Sequence, residues 1–231
     1  MSRLFRYWLR LVLLVVLCGP GLAGAVDVYQ GTLGKQAVTL VTFQQNRVIR
    51  GVYFYDRYRT PIRLKPVFSN NEPNNGIGMD ELDAGGLPAA RILVFFSGYY
   101  KRDATLNGTW TDYRTGKRLP IHMTHVAMLR SDEAWPGATT AVLQAASTER
   151  FYFQVPLAKD GGPASAIEVY AKKTGKRVQT LSLPGCRSED VETVQLAVEQ
   201  GATQLRVGKR YRCAGVAFAW NEGTGQFESL R

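Results

Sequence analysis

Asp80, Glu81 and Asp83 form the densest acidic group of the chain, just after the Asn-rich stretch Asn70 to Gly78. Two carboxylates held a few ångströms apart can divide acid and base roles, and hard oxygen ligands suit calcium. Asn70, Glu72 and Asn74 stand where an EF-hand loop places its first three ligands, but the glycine comes one place late, at Gly76. A polar hairpin tip is therefore expected, with an unrecognised hydrolase on Asp80, Glu81 and Asp83 as a third-ranked reading. The two histidines, His122 and His125, are three residues apart, so on a strand they face opposite ways and make no natural metal pair. Ser97 lies in Phe96-Ser97-Gly98, which is no G-x-S-x-G elbow. Neither a phosphate-cradling loop nor a dinucleotide fingerprint is present. The expectation is a non-enzymatic protein with no metal and no cofactor.

Basic charge interleaved with aromatic rings is the stronger chemical signal. Arg47, Arg50, Arg57, Arg59, Arg63 and Lys65 face one acid, Asp56, over a span that also holds Tyr53, Phe54, Tyr55 and Tyr58. Tyr99, Tyr100, Lys101 and Arg102 form a second such group. The predicted partner-binding residues are Arg57, Tyr58, Arg59, Arg63, Tyr99, Tyr100, Lys101 and Arg102. Such surfaces track phosphates and stack on bases when the partner is a nucleic acid. Outside the cytoplasm the same chemistry suits polysaccharide or an acidic surface. The bland alternative is that half these rings are core and the arginines its solvated outer face.

The N-terminus decides between these settings. Arg3, Arg6 and Arg10 precede the apolar run Leu11 to Leu17; Gly19-Pro20 follows, then Ala23-Gly24-Ala25. That order is a secretory signal cleaved after Ala25, and its apolar core is too short for a transmembrane anchor of about 20 residues. Cys18 would suit lipidation if a small residue preceded it, but Leu17 does. The expected location is periplasmic or secreted, which argues against nucleic acid. The full chain of 231 residues carries a net charge of +10, and removing the first 25 residues, with three arginines and no acid, leaves +7. Cys186 and Cys213 then remain as an even pair in an oxidising compartment. Neither belongs to a C-x-x-C motif, so a disulfide is expected, closing a loop of about 27 residues for ~3 kcal/mol, if geometry lets them meet.

Positioning these groups falls to strands. Ile62 and Leu64 alternate with Arg63 and Lys65; Leu106, Gly108 and Trp110 alternate with Asn107, Thr109 and Thr111; Leu119, Ile121 and Met123 alternate with Pro120, His122 and Thr124. A period of two puts one face on a core and the other in water. After a stretch with little alternation a second set begins at Phe151 and runs through Ile167–Ala171, Val178–Leu183 and Arg212–Trp220 to Phe227–Leu230. Val191 to Gln200 fits strand or helix, and strand is preferred. The predicted architecture is all-β: a signal peptide at 1–25, an antiparallel module at 26–130, a connector at 131–148 and a disulfide-stapled module at 149–231. Both modules are expected to be small meanders or sandwiches.

Tyr29-Gln30-Gly31-Thr32-Leu33-Gly34-Lys35, Gly51-Val52-Tyr53-Phe54-Tyr55, Gly108-Thr109-Trp110-Thr111 and Lys117-Arg118-Leu119-Pro120 resemble a β module of Gram-negative envelope proteins. Ile167-Glu168-Val169-Tyr170, Thr174-Gly175-Lys176, Val178-Gln179-Thr180-Leu181 and Trp220 to Phe227 are similar to periplasmic lysozyme-inhibitor-like immunity proteins. That family's calcium loop has no counterpart in Val191 to Arg212, so calcium binding is not implied. The resemblance implies an inhibitor or immunity factor against a peptidoglycan hydrolase, with a cell-wall hydrolase as partner. The alternative is a module that binds peptidoglycan or an anionic polysaccharide through the basic, aromatic surface. Net positive charge disfavours a basic muramidase as the target.

Overall fold

A computed structural model describes residues 25–45, 48–67, 76–97, 105–129, 141–156, 164–186, 193–199, 201–207 and 216–230. Eight strands fill the first half: β1 (Ala25–Leu33), β2 (Gln36–Gln45), β3 (Val48–Tyr55), β4 (Ile62–Pro66), β5 (Gly76–Leu82), β6 (Pro88–Ser97), β7 (Thr105–Asp112) and β8 (Arg118–Leu129). Each pairs antiparallel with the next, and β1 pairs with β8, from Leu33 against Ile121 to Val26 against Leu129, so the sheet closes into a barrel. The alternation seen in the sequence becomes inside and outside. Leu33, Leu40, Tyr53, Leu64, Met79, Ile92, Leu106 and Ile121 fill the interior, as side chains do in eight-stranded barrels. Arg63, Lys65, Asn107, His122 and Thr124 are exposed on the outer wall. This is the reverse of a lipid-facing barrel, which is apolar outside. Among the described residues no helix is long and apolar enough to cross a membrane.

Closure needs tight backbone curvature, and two glycines allow it. A Cβ on Gly31 would collide with the His122 carbonyl oxygen of β8, and one on Gly108 with the Leu93 carbonyl oxygen of β6. Strand glycines of this kind mark sharp bends and close backbone approach.

The second half holds two four-stranded sheets. One has the order β12 (Arg177–Cys186), β11 (Ala164–Ala171), β10 (Phe151–Pro156), β9 (Ala141–Ser147); the other runs β13 (Val194–Glu199), β14 (Ala202–Val207), β15 (Ala217–Asn221), β16 (Gln226–Leu230). Phe153, Val155, Ile167, Val169 and Leu181 of the first sheet meet Val194, Leu205, Phe218 and Phe227 of the second in one core. A glutamine closes each seam. The buried Gln144 of β9 accepts from the Val194 amide at 2.9 Å. Gln179 of β12 donates to the Phe227 carbonyl at 2.7 Å and accepts from the Phe227 amide at 2.9 Å, as a neighbouring strand would. The other face of the first sheet packs on the barrel wall, where Val26, Val41, Phe43, Val52 and Phe54 bury against Val142, Leu143 and Tyr152. Barrel wall, first sheet and second sheet thus form three successive layers.

Two sequence expectations are corrected. The fold is all-β but has three sheets, one of them a closed eight-stranded barrel, rather than two small meander or sandwich modules. Alternation reports the two faces of a strand; the β1–β8 pairing that closes the barrel joins residues far apart in sequence and leaves no local pattern. The expected Cys186–Cys213 disulfide finds no support: among the described residues no cysteine pair lies within bonding distance. Cys186 ends β12, opposite Ala164. Cys213 itself lies outside the described residues. Ala141–Ser147, within the expected connector, is an edge strand, and Val194–Glu199 is a strand.

Candidate functional site: a cleft at one end of the sandwich

Three turns converge at one end of the C-terminal sandwich. Between β9 and β10, the Thr148 hydroxyl accepts from the Phe151 amide at 2.9 Å, and the Thr148 amide donates to the Phe151 carbonyl at 2.9 Å. This tight turn lifts Glu149 and Arg150 to the mouth. Between β11 and β12, Gly175 takes φ +69° and the Lys172 amide donates to the Arg150 carbonyl at 2.9 Å, tying the second turn to the first. Between β15 and β16, Asn221 Oδ1 accepts from the Gly223 amide at 2.8 Å, and Asn221 Nδ2 donates to Glu228 at 3.0 Å. The Asn221 amide, and then the Thr224 hydroxyl, hold the Glu228 carboxyl below its ordinary value.

Between these turns lies a cleft of about 540 Å³ lined by Arg150, Phe151, Lys172, Lys173, Val178, Trp220, Gly225 and Gln226 among others. A second hollow of about 270 Å³, which includes Thr148, Thr203, Glu222 and Phe227, shares Glu149, Arg150, Phe151 and Trp220 with the first. The two therefore meet at Arg150. Its guanidinium carbon stands 4.9 Å from the Trp220 ring centroid and 5.1 Å from that of Phe151, a cation–π contact with both rings. Phe227 meets Trp220 edge-on at 5.1 Å, which holds the indole in place. Lys172 Nζ lies 3.2 Å from the Ser147 hydroxyl, and desolvation lowers its pKa from the ordinary 10.5. Aromatic rings, three cations, the acid Glu149 and amide- or hydroxyl-bearing side chains line the cleft, a mixture able to hold a polar ligand.

The sequence-predicted residues are spread differently. Arg57 lies over the ring of the exposed Tyr58, 5.5 Å from its centroid. Arg63 is on the outer wall of the barrel, opposite Val52. Arg59 has turned inward: at φ +53° it donates from Nη1 to the Lys172 carbonyl at 3.0 Å, and its guanidinium fills the space a Gly175 Cβ would need. It thus braces the hairpin behind the cleft. Tyr99, Tyr100, Lys101 and Arg102 lie outside the described residues, as do Asn70, Glu72 and Asn74.

The acidic group does not converge. Asp80 accepts from Tyr113 at 2.5 Å and Arg91 at 3.2 Å on the outer wall. Glu81 points to the barrel's mouth, where one oxygen accepts from Tyr53 at 2.7 Å and Trp110 at 2.8 Å. Asp83 caps a turn through the Leu87 amide at 2.9 Å. No acid–base pair results. The histidines face opposite ways: His122 bonds Asn107 outside, and buried His125 lies 3.0 Å from Asp27 and stacks on Tyr29. Among the described residues no group of three or more His, Cys, Asp or Glu is placed to hold a metal.

Sequence reading missed Arg150, Lys172 and Trp220 as a group. Lys172-Lys173 just before Thr174-Gly175 was a local signal, but nothing in the spacing links it to Trp220. No family model, curated protein or solved structure matches this chain.

Proposed function

We propose that the protein is an exported, non-enzymatic binding protein of the cell envelope that holds a wall glycan in the cleft at Trp220. The observation that carries this is a cleft that brings half-buried Trp220 together with Arg150, Lys172 and Lys173. Sugar rings can set C–H faces against the exposed part of the indole and hydroxyls against the surrounding polar groups, and the cations add affinity for acidic sugars. Export rests on the basic, apolar and small-residue order of the first 25 residues. Strand β1 begins at Ala25, so cleavage after that residue would leave the barrel's strands almost whole.

A second reading, inhibition of a peptidoglycan hydrolase, is favoured by a different observation. Turns that follow β3, β5 and β7 at one end of the barrel expose Tyr58 (58%), Leu87 (66%) and Tyr113 (47%). Apolar tips of that kind suit insertion into an enzyme cleft. A wall-clearing assay with several hydrolases separates the two when enzyme and wall are varied independently. Glycan binding predicts protection that scales with the amount of wall. Protection that saturates in proportion to enzyme would instead make the protein an inhibitor.

A further inference from the structure

We infer that the cleft grips more than one sugar of a carboxylate-bearing glycan, with the acid seated on Arg150. This rests on the glycan-binding reading and adds the charge of the ligand and the length it occupies. Arg150 lines both hollows, of about 540 and 270 Å³, and together they offer more room than a single sugar ring fills. The guanidinium lies against Trp220 and Phe151 and pairs with no carboxylate among the described residues. An arginine held against rings keeps its fork of donors oriented, which matches the two oxygens of a carboxylate. Lys172 and Lys173 place further positive charge in the larger hollow. Glu149 borders both hollows and Glu222 the smaller, so the site favours a glycan with spaced acids over a densely charged polyphosphate.

The probe is tetragalacturonate, titrated calorimetrically at low salt beside its methyl ester, the monomer and inorganic phosphate. The acid tetramer should bind about 10- to 100-fold more tightly than the ester, the range expected for charge-assisted hydrogen bonds. It should also exceed the monomer, and Arg150→Gln should remove the preference for acid over ester while circular dichroism stays unchanged. Equal binding of acid and ester, or an Arg150→Gln protein that keeps the preference, overturns the inference and leaves the glycan reading standing. Monomer as tight as tetramer overturns the claim that more than one sugar is held. Phosphate competing as well as the tetramer overturns the carboxylate assignment. If neither tetramer, ester nor purified wall binds, the glycan reading fails as well.

Discussion

Glu81 shows how far a single side chain can be read. Its neighbours Asp80 and Asp83 suggest joint chemistry on a polar hairpin tip, but Asp80 and Glu81 lie on a strand and so point to opposite faces. Its partners were not legible either, because Tyr53 and Trp110 come from β3 and β7. The carboxylate's role is to satisfy donors at the barrel's mouth. Glu81→Leu should therefore destabilise the protein by about 1–2 kcal/mol in urea unfolding by leaving those donors unpaired. Adding Tyr53→Phe should recover part of that loss, with glycan binding untouched throughout. Tyr170 makes a prediction in pH. It stacks on Tyr152 and donates to Glu168 at 2.8 Å; burial, and then the Glu168 carboxylate, push its pKa from 10.0 to about 12. Because the raised group holds its proton in the folded state, its contribution is complete below pH 10 and is lost as pH climbs from 10 to 12. Between those values the urea midpoint of the wild type should fall more steeply than that of Tyr170→Phe. Parallel curves would contradict the assignment.

Among the elements, strands were legible and their closure was not. Ile62–Pro66, Leu106–Trp110 and Leu119–Met123 announce one wet and one dry face, but a meander and a barrel share that pattern. Gly31 and Gly108 were visible as residues, though not as points where neighbouring backbones come within Cβ distance. The disulfide failed for a related reason: an even count of cysteines is local information, whereas what Cys186 meets at the end of β12 depends on sheet order. Arg59 illustrates the converse. Read as a surface cation, it joins the β3–β4 turn to the β11–β12 hairpin through the Lys172 carbonyl. Arg59→Ala should loosen that hairpin and weaken glycan binding several-fold, with a stability loss of about 1 kcal/mol for the missing hydrogen bond. Unchanged affinity would show that the hairpin needs no brace.

In the whole molecule, the first sheet of the sandwich is covered on both faces, by the barrel on one side and the second sheet on the other. Coupling of this kind predicts that damage at the barrel wall reaches the sandwich. Phe54 is buried there and meets Tyr152 edge-on at 5.6 Å. Phe54→Ala should cost about 3 kcal/mol, and tryptophan fluorescence from Trp110 in the barrel and Trp220 in the sandwich should report it in one transition. Two separate transitions, with only the first shifted, would mean that the halves unfold independently. Charge acts at the same scale: on the proposed reading, cleavage would leave a net +7 that favours anionic wall material, and added salt should weaken binding.

The most direct test is co-sedimentation of the purified protein with isolated cell-wall sacculi, comparing wild type with Trp220→Ala and with Lys172→Glu/Lys173→Glu. The last two residues lie at the cleft and outside the sandwich core, so loss there does not require misfolding; circular dichroism checks all three proteins. Saturable wild-type binding that falls at least about tenfold in both variants is the expected result. Binding that is absent in the wild type, or equally strong in variants that remain folded, would contradict a glycan site at Trp220.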